Sequence, residues 1–174
     1  RYLQKKHKLK KIAIIDWDVH HGNGTEEIFI EDPDVYYVSL HQEGIYPFTG
    51  FAKQRGQGKG EGFNLNLPLP AHSAGDVALK AWEEKITPEL EAFQPEFLLI
   101  SAGFDAREND PIGGLEWKDE TFAEMTRRCV KLAITECRTL QNKNIIGKLL
   151  EFVKDISLLP GSLCETFAGI FNKN

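Results

Sequence analysis

The chain has 174 residues, 41% of them apolar and 27% charged, with a net charge of -5; this is one domain's worth of ordinary globular sequence, long enough to bury a core without a disulfide or metal staple. No run approaches the ~18 apolar residues of a membrane span and no signal peptide opens the chain, so a membrane role is excluded. Cys129, Cys137 and Cys164 are odd in number and show no CxxC spacing, which argues against a disulfide framework or a cysteine zinc site and for an intracellular location, cytoplasm or nucleus.

The first eleven residues, RYLQKKHKLKK, hold six of the 21 Lys and Arg and no acid; the remainder carries 15 basic against 26 acidic residues. An acidic body argues against direct nucleic-acid binding, because phosphate contacts need a basic surface. The basic start reads as the solvated tail of a helix, and the chain as a piece of a longer protein. Lys11 to Ile15, Val35 to Leu40 and Phe97 to Ser101 are short unbroken apolar or β-branched runs, the pattern of strands buried on both faces of a parallel sheet. Gly50 to Gly62 holds five glycines and four charges and reads as an exposed, mobile loop. Helical patterns follow at about Ala74 to Phe93 and Lys118 to Cys137, the second with Phe122, Met125, Cys129, Leu132 and Ala133 at helical spacing. Strands alternating with helices predict an α/β fold with a mostly parallel sheet, in one domain.

The chemistry concentrates where two predicted strands end. Asp16-Trp17-Asp18-Val19-His20-His21-Gly22-Asn23-Gly24-Thr25 follows the first, and Ser101-Ala102-Gly103-Phe104-Asp105-Ala106-Arg107-Glu108-Asn109-Asp110 closes the third. Ligands of open parallel sheets bind beyond the carboxyl ends of strands. Asp18, His20 and Asp110 would give a divalent metal three protein ligands and leave a position open, as in catalytic zinc. The competing reading has Asp18 and Asp110 capping helices and His20 packing. Trp17 and Trp117 read as packing residues, His72 as part of a surface turn, and Arg107 as half of an ion pair.

These residues carry a resemblance. IDWDVHHGNGT, VSLH, the Tyr-Pro-x-Thr-Gly element at Tyr46, GxGxGxxFNLNLPLP and SAGFDARxxDPxGG stand in this order from about Arg1 to Ala133. Together they resemble the second half of the zinc-dependent histone deacetylase domain, in its class II, bacterial deacetylase and acetylpolyamine amidohydrolase-like branch. The resemblance implies a three-layer arginase/deacetylase-like fold, incomplete at its N-terminal side, over residues 1-174, with 134-174 a diverged part. It implies zinc on Asp18, His20 and Asp110, and structural potassium held by Asp16, Ser39 and the backbone of Asp18, His20 and Leu40, with the Phe29 carbonyl at a second site. Asp16 and Asn23 would orient a pair of catalytic histidines expected upstream of Arg1. Tyr46 would line the tunnel that grips the acetyl-lysine chain, and Gly103 would border the pocket. The implied substrates are acetylated protein, histone among them, or acetylated polyamine. The implied partner is the upstream half of the same domain.

One departure stands out. Where the family pattern has Glu-Gly-Gly-Tyr, this sequence reads Glu151-Phe152-Val153-Lys154. Lys154 would occupy the position of the tyrosine that stabilises the transition state, and a flexible hydrated cation is no isostere of phenol. The expectation is therefore a metal-dependent deacetylase whose activity is impaired in this chain. The alternative is a remnant that binds metal or acetylated ligand without turnover.

Overall fold

A computed structural model describes residues 1–136. Cys137, Lys154, Cys164 and nearly all of the 134-174 segment lie outside the described residues. Helix α1 (Tyr2–His7) leads into β1 (Ile12–Asp16), α2 (Asn23–Phe29), β2 (Val35–Gln42), a short 3-10 turn (Gly58–Gly60) and β3 (Asn64–Leu69). Helix α3 (Gly75–Ala81), a π turn (Trp82–Ile86) and α4 (Thr87–Phe93) then run on to β4 (Phe97–Ser101) and α5 (Asp119–Glu136). The four strands form one all-parallel sheet in the order β3-β2-β1-β4. The chain thus steps outward from β1 to β3 and returns to lay β4 on the other side of β1. That reversal makes the β1–β4 boundary a topological switch point, where sheets of this kind leave a crevice.

The three apolar runs form β1, β2 and β4, as the pattern predicts, and the alternation of side chains in each strand explains what covers each face. Ala13, Ile15, Tyr36, Val38, Leu40 and Leu98 join the large core beneath α3, α4 and α5, with Trp17, Trp82 and Trp117 fully buried. On α5 the five apolar residues read at helical spacing are all buried. The other face begins apolar at Ile12, Ile14, Val35 and Tyr37, covered by Leu3, Leu9, Phe29 and Phe97. Toward the carboxyl ends of the strands it turns polar: Asp16, Ser39, His41, Asn64 and Asn66 are all buried there, with Glu26 of α2. β4 lies at the sheet edge, and its Leu99 is 40% exposed.

Two elements depart from the sequence reading. The 74–93 helical stretch is loosened by the π turn immediately before Thr87-Pro88. Pro88 has no N–H to give and its ring crowds the carbonyl four residues back. The Gly50–Gly62 loop is anchored rather than free: Arg55 bonds Glu89 at 2.7 Å and Tyr36, the Gln57 N–H donates to the Ile30 carbonyl, and Gly60 is buried. A Cβ on Gly60 would stand 2.4 Å from the Ile30 carbonyl oxygen, so the glycine permits the close approach. No described helix is long and apolar enough to cross a membrane.

Candidate metal centre

β1 and β4 are neighbours in register, with Asp16 opposite Ser101. The segments leaving their carboxyl ends therefore emerge side by side. Asp18 and His20 come from the first and Asp105 from the second, and one donor atom from each lies within 4.8 Å of the others. His20 Nδ1 is 3.0 Å from Asp18 Oδ1 and 3.1 Å from Asp105 Oδ2. The remaining contacts fix the carboxylates: Asp18 Oδ1 accepts the His20 N–H at 2.8 Å, and Asp105 Oδ1 accepts the Val19 N–H at 2.9 Å. All three side chains are part-exposed, at 38%, 29% and 27%, so a ligand can reach them from solvent. Burial pushes the Asp105 carboxyl above its ordinary range, the Val19 N–H opposes this, and the neighbouring Asp18 charge raises it again. Two carboxylates and an imidazole converging at this distance fit a divalent cation, which would relieve the like-charge contact.

Asp110, read from the sequence as the third ligand, is not in this cluster. Its Oδ1 accepts the N–H groups of Ile112 and Gly113, both at 2.8 Å, closing a turn in its own loop. The capping role considered for it is the one it fills, and Asp105, four residues beyond the end of β4, takes the place beside Asp18 and His20. Asp16 also parts company with Asp18 and His20, since the strand ends at Asp16 instead of continuing. Its side chain is buried, accepting from the Tyr37 hydroxyl at 3.1 Å and the Asp18 N–H at 3.2 Å. Burial raises its pKa against those bonds. Gly103 packs directly on the cluster, because a Cβ there would lie 2.5 Å from both the Asp18 Cα and its Oδ2. Gly103→Ala is expected to shift Asp18, destabilise the fold by about 1–3 kcal/mol and weaken metal binding. Denaturant titration and metal titration of the variant check the two effects separately.

Behind the cluster lies a buried polar layer that sequence reasoning missed. His21 donates from Nε2 to Glu26 Oε2 (3.1 Å), so its Nδ1 accepts from the Thr49 hydroxyl (2.7 Å). Glu26 Oε2 also accepts from Asn64 (2.9 Å) and Asn66 (2.6 Å). Burial alone would raise the Glu26 pKa, but donation from His21, Asn66 and Asn64 holds it below the ordinary carboxylate value. His41 donates from Nε2 to the Gly50 carbonyl (3.0 Å) and accepts from the Ser39 hydroxyl at Nδ1 (2.9 Å). Burial, then the nearby His21, pushes His41 down to about 4. The signal for this layer was the alternation Asn64-Leu65-Asn66-Leu67, which marks a strand with one polar buried face; Pro68 obscured it and is tolerated because β3 is an edge strand.

The His41 shift gives a signed expectation. The folded value lies below the ordinary 6.5, so between about pH 4 and 6.5 the unfolded chain binds more protons and stability falls as pH falls, by up to about 3 kcal/mol. Glu26 does not compete in that window, because its contribution is lost only below its own ordinary value of 4.5, while the raised Asp16 and Asp105 act with the opposite sign. Urea unfolding in metal-free buffer should show this slope reduced in His41→Gln relative to the parent.

The other residues singled out are placed as follows. Asn23 opens α2 and is exposed. Ser39 stands opposite Asp16 in the sheet, next to fully buried Leu40. Phe29 ends α2, its carbonyl accepting the Asp32 N–H at 2.9 Å. Tyr46 is 71% exposed on the loop after β2. Arg107 pairs with Asp119 at 2.6 Å, and His72, in a left-handed turn, faces Glu116 at 2.9 Å. Cys129 is buried, and burial raises its thiol pKa.

Comparison with known proteins settles the lineage. The histone deacetylase domain family matches residues 1–141. The chain belongs to the histone deacetylase family. Histone deacetylase 10, chloroplastic, of Oryza sativa subsp. japonica is 49% identical over 171 residues, covering 96% of this chain and 37% of that protein. Among solved structures, the histone deacetylase Clr3 superposes with a TM-score of 0.71 at 35% identity, over 78% of this chain and 23% of that one. An acetylpolyamine aminohydrolase from Burkholderia pseudomallei does so with a TM-score of 0.67 at 34% identity, over 71% and 37%. The parallel sheet and its flanking helices are thus an arginase/deacetylase-like fold. The chain spans about two fifths or less of the length of these relatives.

Proposed function

We propose that the chain is the metal-bearing part of a zinc-dependent deacetylase acting on acetyl-lysine in proteins or on related acetylated amines. The observation that carries this is the convergence of Asp18, His20 and Asp105 at the switch point of the sheet. Zinc bound there supplies a Lewis acid for the amide carbonyl. In this reading Asp18 and Asp105 hold the cation, each braced by a backbone N–H, and His20 completes the set. Asp16 steadies the Asp18 backbone from behind. Ser39, Leu40 and Asp16, with the carbonyls of Asp18 and His20, would hold potassium, and the Phe29 carbonyl would contribute to a second such site. The Ser39 hydroxyl donates its proton to His41 and so keeps its oxygen lone pairs free for a cation. Asn23 would orient a catalytic histidine, and Tyr46 would flank the acylated side chain.

Turnover by this chain is proposed to be weak. Phe152-Val153-Lys154 stands where the family resemblance places Gly-Gly-Tyr, which favours binding of acetylated ligand over its rapid hydrolysis. The test is zinc content after dialysis, joined to fluorescence anisotropy of a labelled peptide with and without an acetyl group on its lysine. One zinc per chain and zinc-dependent preference for the acetylated peptide are expected. Absence of bound zinc, or equal binding of the two peptides with and without it, would overturn the reading.

A further inference from the structure

Three of the eight exposed large hydrophobic residues among those described, Tyr46, Phe48 and Phe51, fall within six positions of one loop. Single exposed apolar residues need no explanation, but a cluster beside a candidate site does. Phe48 is 68% exposed and Phe51 56% exposed, so neither contributes much to the core. Phe48 also sits at φ 62, a left-handed conformation disfavoured for a bulky side chain. A strained backbone that presents an aromatic ring to solvent gains nothing for folding, and such outliers cluster at functional sites.

The residues between the two rings are held firmly. The Thr49 hydroxyl bonds His21, and the Gly50 carbonyl accepts from His41. Gly50 is buried so closely that a Cβ would lie 2.5 Å from His41 Nε2 and 2.6 Å from His21 Cγ. On either side, the Phe48 N–H donates to the Ile45 carbonyl at 2.7 Å, and the Phe51 N–H to Gln54 Oε1 at 3.0 Å. His21 is the chain neighbour of His20, so this anchored loop starts one residue from the metal cluster. A rigid aromatic surface can bury apolar atoms with little ordering cost.

We propose that Phe48 and Phe51 form an apolar platform that selects substrates carrying a hydrocarbon side chain next to the acylated lysine. The proposal rests on the deacetylase reading for the acylated group, and it adds the residue class at the flanking position. The experiment measures the affinity of the zinc-loaded 174-residue chain for two labelled acetyl-lysine peptides, one flanked by leucines and one by glycines. The parent should bind the leucine peptide about fivefold tighter, as expected when part of one leucine side chain leaves water. In the double variant Phe48→Gly, Phe51→Ser the ratio of the two affinities should fall close to one. Glycine suits the left-handed backbone at position 48, and zinc content reports that the variant is folded at the metal centre. A parent with no leucine preference, or a double variant that keeps it, overturns the proposal. Zinc content and the acetylated-against-unacetylated comparison report on the underlying deacetylase reading, so its failure is visible separately. If neither acetylated peptide binds, the platform proposal falls as well.

Discussion

Asp105→Ala is expected to abolish stoichiometric zinc binding, whereas Asp110→Ala should leave it essentially unchanged. Removing Asp105 deletes one of two anionic donors and the group that anchors the Val19 N–H at 2.9 Å. Loss of partners in the shell outside the ligands typically weakens metal binding by about 10–100-fold, and loss of a ligand itself should exceed that. Asp110 spends its carboxylate on the Ile112 and Gly113 N–H groups. Its replacement should instead loosen the loop and lower stability by about 1 kcal/mol. Competition titration against a chromophoric chelator separates the two variants. Equal loss of zinc in both would mean that the loop from Phe104 to Gly114 acts as a unit. Loss in Asp110→Ala alone would reverse the assignment made from geometry.

The confusion between the two aspartates shows what a sequence of this kind conveys. Its apolar runs placed β1, β2 and β4, and the motif at Asp16 to Thr25 placed the chemistry at a strand end, because burial on both faces and the crevice at carboxyl ends leave direct traces in residue order. The choice between Asp105 and Asp110 leaves no such trace. Both are carboxylates on one loop, and only the folded backbone shows that one faces His20 while the other closes a turn. β3 was hidden for a different reason. Its buried face carries Asn64 and Asn66, which are buried because Glu26 takes their protons in hydrogen bonds, a long-range cause that local hydropathy cannot register. α2 was likewise masked by Gly22 and Gly24. The polar layer it helps to build holds the Thr49–Gly50 loop and the segment bearing His20 against one buried scaffold, so metal ligation and substrate-side geometry share a support.

The 174-residue chain is expected to hydrolyse acetyl-lysine peptides at or near the rate of zinc in buffer. Its sequence contains five histidines, and each has a place in the structure. His20 belongs to the metal cluster. His21 and His41 are buried with both ring nitrogens bonded. His7 lies on α1 against Tyr2, and His72 is an exposed partner of Glu116. None is left to move a proton between water and the leaving amine, a contribution typically worth about 10²–10⁴-fold. With Lys154 where the family resemblance places a tyrosine, an aligned donor to the developing oxyanion, worth roughly 10²–10³-fold, is lost as well. Lys154→Tyr alone should therefore fail to restore turnover, since it returns the donor without the base and leaves Phe152 and Val153 in place of two glycines. Acetate release measured against zinc-free protein and against Asp105→Ala decides the matter. Release well above background that disappears in Asp105→Ala would require a base other than a free imidazole; His21 would be the nearest candidate, and Thr49→Val, which strips the hydroxyl from its Nδ1, would then alter the pH profile of the reaction.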